Sequence, residues 1–220
     1  MRLTSTFIII IIFMLFCITD TAHADYYLWE DSRSGITLSF PDSWQLGSAI
    51  DPSTIIRLKA PAPAEHYTTC RVRTQEDRRY LSYPPINDGT VHQVAYGGHY
   101  LKSHVETYRE SKLLNFGKEA ALGNGPASYA VFDYKKHLEE REFIFMRKIV
   151  FVSFKYKTVT FFECESSVGE FKKWYPIFLS IAKSMDHPRI HHELPNGNFR
   201  FFQGEDIIMD SPARIGTILY

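Results

Sequence analysis

The run from Glu142 to Phe154 constrains this chain more than any other stretch. Phe143, Phe145, Ile149 and Phe151 alternate with Ile144, Met146, Val150 and Val152, so a strand here is apolar on both faces. Such a strand lies inside its sheet and is covered on both sides. The fold must therefore supply two covering layers. A Lys-Tyr-Lys turn leads to a second buried strand, Thr158 to Cys164, and then to a helix from Val168 to Met185. Ser167 stands at the N-cap position and Glu170 three residues on, a capping-box spacing. Val168, Phe171, Tyr175, Phe178, Ala182 and Met185 form one apolar helical face, which Trp174, Leu179 and Ile181 widen. Pro176 predicts a bend in this helix, and Pro188 closes the segment.

Upstream, Asp25 to Ser34 reads as a polar lead-in. Gly35 to Phe40 alternates as a strand stopped by Pro41, and Pro41 to Trp44 reads as a turn that tucks the indole into the core. Short strands follow at Thr54 to Leu58 and Tyr67 to Thr74, then a loop from Tyr80 to Gly89. Val91 to Tyr108 has the spacing of a helix, weakened at Gly97-Gly98, where close backbone contact is expected. Lys112 to Leu122 and Pro126 to Tyr134 form a hairpin around Gly123-Asn124-Gly125. Three strands, a helix, three or four strands and a helix describe an α+β fold. Its antiparallel sheet of about six strands lies between helical layers.

The ends of the chain differ from this middle. Arg2, the apolar run Phe7 to Ile18 and Ala22-His23-Ala24 have the layout of a signal peptide cleaved between Ala24 and Asp25. A lipid anchor on Cys17 is disfavoured by the bulky Phe16 before it. The mature protein is expected in the periplasm or outside the cell, with no stable membrane span. Residues 25–187 form the domain and residues 188–220 a C-terminal extension. In that extension Phe199, Phe201, Phe202, Ile207 and Ile208 follow no helical stripe. Lys+Arg and Asp+Glu are both 25, so no basic excess suggests a nucleic-acid partner.

Four stretches carry a family resemblance. They are Gly35-Ile36-Thr37-Leu38-Ser39-Phe40-Pro41-Asp42-Ser43-Trp44, Gly125-Pro126-Ala127-Ser128-Tyr129, Thr160-Phe161-Phe162-Glu163-Cys164, and Phe171 through Pro176-Ile177-Phe178 to Ser184. In this order, between Ile36 and Met185, they resemble the PsbP / DcrB-like family. The resemblance implies an α/β/α sandwich around an antiparallel sheet in an exported, non-enzymatic protein. Plant and cyanobacterial members of that family assist photosystem II, a partner that nothing in this sequence singles out. Removing the leader leaves two cysteines, Cys70 and Cys164. Export favours a disulfide between them, with buried free thiols and a thiolate nucleophile as the alternatives. The resemblance places their two strands in one sheet.

Motifs for catalysis are sparse. The sequence has no G-x-S-x-G elbow. His187, His191 and His192, with Glu193, are candidate metal ligands, but their spacing matches no closed site and a solvated linker is favoured. His92, His99 and His104 read as an ordinary polar helix face. Glu139-Glu140 read as surface charge among Lys135, Lys136 and Arg141. Glu163 and Glu165 share a strand face, yet a glycosidase pair needs a cleft. Arg71, Arg73, Arg78 and Arg79, offset by Glu76 and Asp77, could grip an anionic surface, but a solvated mixed-charge strand end is favoured. The reading favoured is a non-catalytic envelope accessory or binding protein that acts on another envelope component, without cofactor or catalytic residue. A hydrolase using a Cys/His or metal site and a metal-binding accessory protein are the competing readings.

Overall fold

The two-faced strand has its two covering layers over its second half; at its start Phe143 and Phe145, expected to be covered, are 41% and 60% exposed. The structure, a computed structural model, describes residues 25–48, 51–64, 66–77, 88–138, 142–155 and 157–188. The strands are β1 (Tyr26–Glu30), β2 (Thr37–Pro41), β3 (Gln45–Gly47), β4 (Thr54–Lys59), β5 (Thr69–Glu76), β6 (Lys112–Leu122), β7 (Gly125–His137), β8 (Phe143–Lys155) and β9 (Thr158–Ser167). The helices are α1 (Asp88–Ala95) and α2 (Gly98–Glu106), between β5 and β6, and α3 (Phe171–Ser184) after β9. Seven strands form one antiparallel sheet in the order β3-β4-β5-β9-β8-β7-β6, and β1 and β2 make a separate two-stranded ribbon.

Side-chain alternation divides the interior into two cores. On one face Ile149 and Phe151 of β8 and Phe162 of β9 pack with Phe171, Phe178 and Ile181 of α3 and with Leu38 and Phe40 of β2. On the other, Met146, Val150, Val152 and Phe154 pack with Phe161 and with Leu101 and Val105 of α2. Trp44 turns into the first core, edge-on to Trp174 at 5.8 Å and to Phe178 at 6.3 Å between ring centroids.

Several local expectations change. The lead-in contains β1, which pairs with β2, so the Gly35–Phe40 strand lies outside the large sheet. The expected helix Val91–Tyr108 is two helices. Gly97 is the N-cap of α2, and a Cβ there would lie 2.5 Å from the Gln93 carbonyl oxygen, so the chain breaks where only glycine fits. The capping box does not form. Ser167 extends β9 opposite Met146, Glu170 becomes the N-cap without a side-chain cap bond, and α3 starts at Phe171 and continues through Pro176.

The chain after α3 is tied down at two places. Thr37 and Asp186 exchange backbone hydrogen bonds at 3.0 and 2.8 Å. Asn124 donates from Nδ2 to the His187 carbonyl and accepts the His187 amide at Oδ1, each at 3.0 Å. Gly123, at φ 58°, lets the β6–β7 turn approach Met185 so closely that a Cβ would fall 1.4 Å from its carbonyl oxygen.

Candidate functional site

Strand register builds a charged layer on the sheet face under α2. Glu163 on β9 stands opposite Arg71 on β5, and Glu165 on β9 stands opposite Lys148 on β8. All four point to the face that also carries Phe161 and Phe132, because residues two apart share a face. Arg71 donates from Nε and Nη2 to Glu163 Oε2 at 3.0 and 2.7 Å, and Arg73 grips Oε1 through the same pair of nitrogens. Lys148 reaches Glu163 at 3.4 Å and Glu165 at 2.8 Å. Lys136 from β7 donates to Glu165 at 2.7 Å, and the Tyr134 hydroxyl donates to it at 2.6 Å.

These are buried ions. The Glu163 side chain is 1% exposed and that of Lys148 5%. Burial alone would push both carboxyls up; the cations outweigh it, Lys148 foremost, and hold Glu163 and Glu165 below the usual carboxylate range. Burial would likewise lower Lys148, and Glu165 and Glu163 reverse that and raise it. Aromatic rings wall the layer. The Lys148 ammonium lies 4.7 Å from the Tyr108 ring centroid and 5.3 Å from that of Tyr134, and the Arg73 guanidinium lies 4.8 Å from Phe161. Both carboxylates are thus neutralised and hydrogen-bonded. Neither is poised as a general acid, which needs a raised pKa.

The cysteines lie one row over on the opposite face. Cys70 and Cys164 are direct partners across β5 and β9 and are joined by a disulfide, with Cα atoms 4.1 Å apart. The histidines are not one polar helix face. His92 is buried, and burial lowers it to about 4. His104 stacks between Tyr100 and Phe161 and is lowered by burial, while His99 is exposed. His187 is buried rather than solvated, and burial and then Lys155 lower it to about 4. Its Nε2 has no hydrogen-bond partner among the described residues. His191, His192 and Glu193 lie outside the described residues, as do Arg78, Arg79, Glu139, Glu140, the leader and the tail from 189. Among the described residues no three His, Cys, Asp or Glu side chains converge as a metal site would require.

No protein-family model and no curated protein matches the chain. Solved structures do. The cyanobacterial PsbP (CyanoP) of Synechocystis sp. PCC 6803 superposes with a TM-score of 0.51 at 11% identity, over 77% of this chain and 96% of that one. This chain has the PsbP fold. LpqN of Mycobacterium tuberculosis, described as involved in cell envelope biogenesis, gives a TM-score of 0.49 at 16% identity, over 76% of this chain and 92% of that one.

Within the PsbP fold this chain brings together residues that the sequence scatters. Arg71 and Arg73 are not a solvated strand end, and Glu163 and Glu165, which share a strand face as expected, are buried with them; they form one network across about 90 residues of sequence, at separations of 92 and 90. Lys148, Lys136, Tyr134 and Tyr108 are members that reading the sequence missed. Lys148 carried a signal: a lysine on a strand covered on both sides is rarely buried without a carboxylate partner.

Proposed function

We propose that this chain is an exported, non-catalytic binding protein that recognises another component of the cell envelope. Its PsbP-fold sandwich spends its ionisable groups on architecture. The observation that carries this reading is the state of the four side chains a hydrolase would draw on. Cys70 and Cys164 bond to each other, so neither is a thiolate, and Glu163 and Glu165 are held ionised by Lys148, Arg71, Arg73 and Lys136. The disulfide also favours an oxidising compartment. It agrees with the leader Arg2, Phe7 to Ile18 and Ala22-His23-Ala24. No helix among the described residues is long and apolar enough to cross a membrane.

The test combines fractionation with crosslinking. The full chain is expressed in its source cell, the terminus of the mature protein is read by mass spectrometry, and lysine-reactive crosslinks are mapped in the intact envelope. A terminus at Asp25 and crosslinks to an envelope component are expected. An intact Met1, or a protein recovered wholly from the cytosol, contradicts the proposal.

A further inference from the structure

The charged layer does not end at β5. The register continues its rows onto β4 and β3: Gly47, Arg57, Arg71 and Glu163 stand in one row, and Gln45, Lys59, Thr69, Glu165 and Lys148 in the next. Helices α1 and α2 pack on β6, β7 and β8, so the layer extends past the strands on which they pack. Arg57, Lys59, Arg71 and Arg73 are all half-buried there. Arg57 stands directly opposite Arg71, a like-charge cross-strand pair that is unfavourable unless an anion lies between. Glu163 is already shared by Arg71, Arg73 and Lys148, and no carboxylate among the described residues lies within ion-pair distance of Arg57 or Lys59. Their stems lie along Gly47, where a Cβ would meet Lys59 Cε at 3.3 Å and Arg57 Cγ and Cδ at 3.4 Å. Among the described residues of the layer six cations, Arg57, Lys59, Arg71, Arg73, Lys136 and Lys148, stand with two carboxylates, Glu163 and Glu165, in a chain of zero net charge.

We infer that this half of the sheet face, centred on the half-buried Arg57, Lys59 and Arg71, docks on the phosphate-bearing headgroups of an anionic membrane surface. Guanidinium groups on adjacent strands, with Cβ atoms about 5 Å apart, offer forked donors to a tetrahedral oxyanion bridging them. The face is three strands wide at about 4.8 Å per strand. Such a face suits a layer of headgroups, whose many weak contacts add, better than one enclosed phosphate. This inference rests on the binding reading above and names its partner. The terminus and crosslink experiment decides export separately, so either can fail without the other.

The test is cosedimentation of the protein, processed from cells expressing the full chain, with vesicles of phosphatidylcholine alone or mixed with an equal part of phosphatidylglycerol. Binding is expected only with phosphatidylglycerol, weakening as salt shortens the screening length. Arg57→Gln with Lys59→Gln is expected to weaken binding by at least about tenfold, and Lys59→Gln alone by less. Lys172→Gln with Lys173→Gln, the same charge change on α3 across the sandwich, is expected to change it less than about twofold. Inorganic phosphate is expected to release the protein no better than chloride at matched ionic strength. Absence of binding to phosphatidylglycerol vesicles overturns the inference in favour of a soluble or protein partner. So does equal loss in the two double variants. Specific release by inorganic phosphate overturns the membrane assignment in favour of a free phosphate. If the Arg57 and Lys59 double variant melts earlier than wild type, Lys59→Gln carries the comparison, and binding unchanged from wild type overturns the inference.

Discussion

Lys148 shows what the buried layer asks of single residues. Its ammonium sits between two buried carboxylates and over two tyrosine rings. Removing one partner of a buried ion pair leaves charge uncompensated and costs about 3–5 kcal/mol. Glu163 keeps Arg71 and Arg73, and Glu165 keeps Lys136, so Lys148→Met is expected near the lower end, about 3 kcal/mol by urea denaturation. Arg71→Met is expected to cost less, because its side chain is 30% exposed and solvent screens the pair. Two buried histidines outside the layer and the two carboxylates within it fix a pH dependence. Burial lowers His187 and His92 to about 4, so the unfolded chain binds their protons first. Their contribution is complete above the unfolded pKa of about 6.5 and is lost as pH falls toward 4. Glu163 and Glu165 are also lowered, so their contribution is complete above about pH 4.3 and is lost below it. Stability should therefore fall in two stages on acidification. His187→Gln is expected to flatten part of the upper stage and Glu163→Gln with Glu165→Gln the lower one, read by melting temperature from pH 7 to pH 2. An unchanged acid profile in both variants contradicts this account.

At the scale of elements, what the sequence made legible was what a local pattern specifies. The double apolar set of β8, the hairpin around Gly123 and the apolar face of α3 depend on residues a few positions apart; the hairpin and the α3 face formed, and the β8 set is buried on both faces beyond Phe145, while Phe143 and Phe145 are exposed. β3 is three residues long and carries no period of its own. β1 mixes aromatic and polar residues, with Tyr26, Tyr27 and Leu28 exposed, so its alternation is masked. The capping box failed because Ser167 had a competing use in the β9 ladder. The charged layer was illegible for a different reason. Arg71 with Arg73 and Glu163 with Glu165 show the two-residue spacing of a shared face, but no local rule says that β5 and β9 are neighbours. Packing of α3 is testable directly. Phe178 is fully buried against Trp44 and Phe171, and Phe178→Ala is expected to cost about 3–5 kcal/mol. A melting temperature within a degree of wild type contradicts the assignment of that face.

At the scale of the molecule, one sheet separates two interiors. One is apolar and clamped by α3, β1 and β2; the other is partly charged and half covered by α1 and α2. The Cys70–Cys164 bond joins β5 to β9 at the junction between the helix-covered part of the sheet and its open end. It closes a loop across a sequence separation of 94, for which chain entropy allows up to about 4.7 kcal/mol, with 2–4 more usual. Cys70→Ala with Cys164→Ala is expected to be less stable by that usual amount. The same bond fixes the register that places Arg71 opposite Glu163. Peptide mapping of the native, unreduced protein recovered from its source cell therefore tests register and compartment together. One linked peptide pair containing Cys70 and Cys164, with no alkylatable thiol in the mature chain, is the expected result. Two alkylatable thiols would contradict the binding-protein reading and return a thiol nucleophile to consideration.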